Sequence, residues 1–138
     1  MTKKSQLALC NTLLLASFLL TSATAVAMLL MQRYTPWLMW THSAVGAVFI
    51  ATAYWHLLLN LGAKRWKNYP KKSPSVKISF IFLVVTALSA AAAFVRGFIV
   101  PFNPRLQVIH GWIGGIFIII CLLHFFKHHH YYRKLYFK

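Results

Sequence analysis

Two stretches decide the fold: residues 37–61, WLMWTHSAVGAVFIATAYWHLLLNL, and residues 106–126, LQVIHGWIGGIFIIICLLHFF. Each is long enough to cross a membrane as a helix, which takes about 20 mostly apolar residues. Each also carries two histidines fourteen positions apart, His42 and His56 in the first, His110 and His124 in the second. On an α-helix fourteen residues rise about 21 Å and turn through roughly 1,400°, about 40° short of four full turns. Both members of a pair therefore face the same way at two depths. The hydrocarbon layer is about 30 Å thick, so each imidazole would lie just inside one of its boundaries. Ionisable side chains placed there are costly and mark a functional site.

Outward from these stretches, two further apolar runs, 7–31 and 78–95, complete four expected spans. Arg33 and Pro36 interrupt the chain between the first and second. Lys64-Arg65-Trp66-Lys67, Lys71-Lys72 and Pro74 separate the second from the third, and Arg96-Gly97 with Pro101 and Pro104 ends the third. The first run, with Lys3-Lys4 before it and Ala23-Thr24-Ala25 within it, has features of a cleavable signal peptide. Its apolar stretch exceeds the 7–15 residues of a signal core, so a retained helix is expected.

Composition supports the same class. Of 138 residues 59% are apolar and 11% charged, where a soluble domain carries about a quarter charged residues. There are fifteen Lys and Arg and no Asp or Glu, giving a formal charge of +15. The basic residues stand at the ends of apolar runs, as topology signals beside anionic lipid do, and not along a face that would track nucleic acid. Without carboxylates, this chain alone cannot build an acid proton relay, a paired-acid hydrolase, a carboxylate-held Mg²⁺ or Ca²⁺ site or a Ser-His-Asp triad. Cys10 and Cys121 fall in different runs and read as small buried hydrophobes.

Two basic residues precede the first span, six lie between the second and third, and four follow the fourth, against three (Arg33, Arg96 and Arg105) on the opposite side. The positive-inside rule then places both termini and the middle loop in the cytoplasm. Trp37 and Trp40 at one boundary, and Trp66 and Tyr69 at the other, suit an interfacial aromatic belt. The expected architecture is an all-α transmembrane four-helix bundle, N-in and C-in, of two helical hairpins. It forms a single domain over residues 1–138 in the cytoplasmic membrane.

In that topology the second and fourth spans run in the same direction. His42 and His110 then lie near the outer boundary, and His56 and His124 near the inner one. A six-coordinate haem iron takes two axial ligands on opposite faces, and His is a common choice. The reading is two haems, one held by His42 and His110, the other by His56 and His124. Zinc fits worse, because a closed zinc site needs four ligands and each depth offers two. The flanks of the ligands repeat: His42-x3-Gly46-x2-Phe49 and His110-x3-Gly114-x2-Phe117. A glycine one turn after a ligand lets the backbone approach a flat macrocycle, though small residues also serve plain helix contacts in membranes. Phe49 and Phe117 read as packing. His128 lies one turn beyond His124 on the same face, but its depth matches His56 poorly, so His124 is kept as ligand. His128-His129-His130 read as interfacial residues. Arg96 and Arg105 at the outer side, and Lys64, Arg65 or Lys127 at the inner, are candidates to neutralise haem propionates, and equally serve as topology signals.

The His-x13-His pair on each of two helices resembles membrane cytochromes b, including the core of ferric-reductase-type domains. The short four-span form, with His42-x3-Gly46 and His56-Leu57-Leu58-Leu59-Asn60, is more similar to the flavinylation-associated cytochrome family. The resemblance spans nearly the whole chain, with specific motifs in the second and fourth spans alone. It implies two b-type haems on His42, His56, His110 and His124. It also implies electron passage between the quinone pool or an inner donor and an extracytoplasmic redox protein such as a flavin protein. The absence of acidic residues and the basic, His-rich tail depart from that pattern. No nicotinamide or flavin site is legible, so a subunit in electron transfer is expected rather than a self-sufficient enzyme. Two alternatives stand beside it: a quinol-oxidising cytochrome anchor of a dehydrogenase- or hydrogenase-like complex, and a non-redox channel or accessory protein.

Overall fold

A computed structural model describes residues 2–31, 35–61, 65–98 and 104–136, without the side chains of 65, 66, 68, 96–98, 104 and 131–136. Four long helices make up the fold: α1 (Lys3–Met31), α2 (Pro36–Leu61), α3 (Pro74–Phe98) and α4 (Pro104–Tyr136). A short 3₁₀ helix, Arg65–Lys71, lies between α2 and α3. Among the described residues there is no strand, and the protein is all-α as expected. All four helices contain a stretch long and apolar enough to cross a membrane. The protein is a multi-pass membrane protein.

The helix starts follow from local sequence. Thr2 precedes α1, and its hydroxyl accepts the Ser5 N–H at 3.2 Å. Thr35-Pro36 and Ser73-Pro74 open α2 and α3 with a cap residue followed by proline at the first helical position, where its missing N–H costs nothing. The carbonyl of Thr35 accepts from Leu38 and Met39 at 3.0 and 3.1 Å, and that of Ser73 from Val76 and Lys77 at 3.0 and 3.2 Å.

Three helices overrun the expected spans by four residues or more, α1 among them with its start at Lys3. α3 starts four residues earlier than the sequence pattern indicates, which brings Ser75 into it. α4 continues past Phe126 through His128, His129 and His130 to Tyr136, so the histidine-rich tail extends the fourth helix. The apolar signal ends at Lys127, but no proline or glycine follows it to stop the helix.

The chain divides into two compact units, one containing α1 and α2, the other containing α3 and α4 up to Lys134. In the first hairpin Leu7, Cys10, Asn11 and Ser17 of α1 are buried, spaced by three, four and six or seven residues as one helix face requires. Opposite them α2 buries Leu38, Phe49, Thr52, Leu57 and Leu61. Phe18 and Phe49 pack with ring centroids 5.8 Å apart. In the second hairpin Leu83 and Ala93 of α3 and Phe117 of α4 are buried. Large apolar side chains elsewhere point outward, Leu29, Leu30 and Trp112 being 75%, 76% and 73% exposed. Helices apolar on nearly every face belong in lipid or against further apolar surface. Trp37 and Trp40 at the start of α2 are also exposed, as a boundary belt needs.

Candidate functional site

Each hairpin carries two of the four half-buried imidazoles, His42 and His56 on α2 and His110 and His124 on α4. None stands alone in its hairpin. In the first, His42 Nδ1 lies 2.9 Å from Thr24 Oγ1 and His56 Nδ1 lies 2.8 Å from Asn11 Oδ1, both partners being on α1. In the second, His110 Nδ1 lies 3.0 Å from Ser89 Oγ on α3. His124 Nδ1 lies 3.4 Å from both Ser75 Oγ and Ser79 Oγ, also on α3. Every imidazole meets a polar side chain of the preceding helix, and always through Nδ1.

The partners are set up to accept. The Thr24 hydroxyl has its single proton pointed at backbone carbonyls of its own helix, Leu20 and Thr21, both at 2.9 Å. Ser89 donates to the Thr86 carbonyl at 2.9 Å and Ser79 to the Ser75 carbonyl at 2.9 Å. With that proton committed, each hydroxyl offers its lone pairs to the ring, so Nδ1 is the N–H. Asn11 presents its carbonyl oxygen to His56, which again requires Nδ1–H. On the other side of that ring, the Asn60 amide nitrogen lies 3.2 Å from Nε2 and 2.8 Å from the His56 carbonyl. An amide N–H near Nε2 requires a lone pair there. A neutral imidazole has one donor and one acceptor nitrogen, and the hydrogen bond at one fixes the role of the other. These contacts favour Nε2 as the base in His42, His56 and His110; at His124 both contacts are 3.4 Å, and of the two hydroxyls it is Ser79 that has its proton directed to a carbonyl.

This is the state a metal-ligating histidine needs: neutral, oriented through a hydrogen bond at the far nitrogen, with a lone pair for the metal. The polar anchors at Nδ1 are what a metal-ligating imidazole would need, while at His56 the Asn60 amide already meets the Nε2 lone pair and would have to swing away before that ring could ligate. Among the described residues no three His, Cys, Asp or Glu side chains cluster to form a self-contained metal site.

Register within each hairpin reinforces the repeat. The fourteen positions from His42 to His56 are matched on α1 by thirteen from Thr24 to Asn11. The fourteen from His110 to His124 are matched on α3 by fourteen from Ser89 to Ser75. Between the histidine rungs of the first hairpin, Ser17 Oγ and Thr52 Oγ1 lie 3.4 Å apart; the Cys10 thiol, next to Asn11, faces the Thr52 carbonyl at 3.6 Å.

The glycines and aromatics of the repeat are also placed. A Cβ on Gly46 would come within 3.9 Å of Thr21 Cγ2, an ordinary contact, and one on Gly114 would meet nothing within 4 Å. Close helix contact therefore does not account for Gly114. Phe49 and Phe117, both buried, pack as expected. His128 stacks on His124 with ring centroids 4.7 Å apart, and its Nε2 is buried without a partner. His129 is tied to its own helix through the Phe126 carbonyl at 2.8 Å. Arg105 and Lys127 are exposed. The side chains of Lys64, Arg65 and Arg96, the other candidates beside propionates, lie outside the described residues.

The sequence reading named the four histidines but missed Asn11, Thr24, Ser75, Ser79 and Ser89. Part of the signal was available: Asn11 and Thr24 in the first span stand thirteen positions apart, and Ser79 and Ser89 are polar residues in the third, whereas Ser75 lies before the expected start of that span. Comparison with family models, with curated proteins and with solved structures finds no match for this chain.

Proposed function

We propose that this protein carries electrons across the cytoplasmic membrane through two b-type haems, each held by two histidines. The observation that supports this most is the repeated anchoring of the four imidazoles, every one meeting a polar side chain of the preceding helix through Nδ1. His42 and His110 are assigned to the outer haem and His56 and His124 to the inner one, by the depth the sequence gives each. Haem supplies the one-electron chemistry; the chain supplies ligands, spacing and a dry surrounding of low dielectric. The two ligands on each helix are separated by about 21 Å along its axis, close to the span of the hydrocarbon layer.

Within that scheme the residues divide the work. Thr24, Asn11, Ser75, Ser79 and Ser89 orient the imidazoles through Nδ1. Phe49 and Phe117 fill the hairpin interiors. Apolar side chains on the remaining helix faces keep water and hydroxide away. The exposed cations at the helix ends suit anionic propionates and anionic lipid headgroups. The basic residues at the proposed cytoplasmic side set the orientation by the positive-inside rule. Quinone or an inner donor on one side, and an extracytoplasmic redox protein such as a flavin protein on the other, complete the path this reading requires.

The test is spectroscopic. Purified protein is expected to show a dithionite-reduced minus oxidised spectrum of low-spin haem b, and a pyridine haemochrome assay two haems per chain. A colourless protein with no spectral change, after expression with ample haem, would remove the proposal and favour a channel or accessory role.

A further inference from the structure

The inner histidines of the two hairpins are anchored unequally. His56 gives its Nδ1–H to an amide carbonyl, Asn11 Oδ1, at 2.8 Å. His124 faces two serine hydroxyls at 3.4 Å, at the limit of hydrogen bonding. An amide carbonyl is a better acceptor than a hydroxyl, and a short bond transfers more charge than a long one. A second observation concerns Asn11 itself. It is 5% exposed, and its Nδ2 is buried without a hydrogen-bond partner. A leucine would fill that place in a membrane helix without leaving a donor unpaired. A buried asparagine with one end unsatisfied is retained for what the other end does.

We infer that Asn11 is a positioning residue that makes His56 the more electron-donating of the two inner histidines. The inference rests on the haem reading above. Donation of Nδ1–H to a strong acceptor raises the basicity of a ligating imidazole. A more basic ligand stabilises the oxidised metal, so Asn11 lowers the midpoint potential of the haem that His56 holds. His124, with two hydroxyl contacts at 3.4 Å, lacks such an acceptor. Removing the strong acceptor has a larger effect than removing either serine.

Two measurements on the full chain in lipid nanodiscs test this. The first is ¹⁵N NMR of histidine-labelled protein prepared without added haem, with His56 assigned by its loss in His56→Gln. Because the Asn60 amide at Nε2 favours the same tautomer, the comparison is made in an Asn60→Ala background: Nδ1 of His56 is expected to be the protonated nitrogen there, and adding Asn11→Leu is expected to release that preference. Protonation at Nε2 in the Asn60→Ala chain with Asn11 in place would overturn the inference, whether or not haem binds. The second is redox titration of the haem-loaded protein. Asn11→Leu is expected to raise one midpoint by about a tenfold shift in the one-electron equilibrium, roughly 59 mV. Asn11→Asp, with a stronger acceptor, is expected to move the same midpoint downward. Ser79→Ala is expected to move it less than Asn11→Leu. A purely structural role for Asn11 would move both of its variants in the same direction, and that outcome would also overturn the inference. Failure of the chain to load haem at all would instead strike the proposed function, leaving the NMR result to decide the role of Asn11.

Discussion

The α1–α2 and α3–α4 hairpins share their histidine rungs and differ in what lies between them. In the first, Ser17 meets Thr52 and Phe18 packs on Phe49 between the rungs, the Cys10 thiol next to Asn11 faces the Thr52 carbonyl, and Leu7, Leu38, Leu57 and Leu61 are buried beyond the rungs. In the second, the buried apolar side chains among the described residues are Leu83, Ala93 and Phe117. Yet Thr24–His42 and Ser89–His110 are nearly the same length, 2.9 and 3.0 Å, and both hairpins repeat their rung after fourteen positions on the histidine helix. Packing alone does not demand that coincidence. In lipid, helices associate through close contact and polar links, with little hydrophobic drive between them, so many interfaces would hold a hairpin together. The shared element is therefore ascribed to the imidazoles and what they bind, and the variable element to hairpin stability.

The sharpest way to break this division is to remove the histidines one at a time. His42→Ala and His110→Ala are each expected to abolish the same haem, halving the haemochrome yield, and His56→Ala and His124→Ala the other. Losses grouped by hairpin, with His42→Ala resembling His56→Ala, would refute pairing by depth. A smaller effect is expected from the partners of the outer ligands. Thr24→Val and Ser89→Ala each keep the ligand but remove its orienting acceptor, which typically costs about 10–100-fold in affinity. Haem titration of the apoprotein measures it, and a similar loss from both variants would strengthen the view that the two hairpins play equivalent parts.

The smallest effect is expected between the rungs. Thr52→Val removes the contact with Ser17 and is expected to cost about 0.6 kcal/mol, the average for such links in membrane proteins. Thermal unfolding in mild detergent would report it, with haem content unchanged. If Thr52→Val instead depleted haem as severely as Thr24→Val, the distinction between ligand-bearing rungs and spacer would collapse.

Much of this was legible residue by residue. The spans showed in the apolar runs and their basic ends, because the cost of burying charge in lipid is paid locally and leaves a mark in the chain. The His-x13-His pairs showed because helical geometry converts sequence spacing directly into direction and depth. Phe49 and Phe117 showed as packing from their place in the repeat. The helix overruns at Ser75 and His128 did not show, since hydropathy reports where lipid begins and ends, and a helix can continue past that boundary.

The sequence by itself determined that this is an all-α membrane protein with four histidines set as two pairs, since both properties depend on composition and on spacing along one helix. Only the tertiary structure decided that Thr24, Asn11, Ser75, Ser79 and Ser89 meet those histidines, each time at Nδ1. Which residues of two antiparallel helices meet depends on the register of the pair, and the residues that meet are far apart in the chain. A hydrogen bond at one ring nitrogen then selects the role of the other, a choice open to an isolated histidine and narrowed once the neighbouring helix is in place.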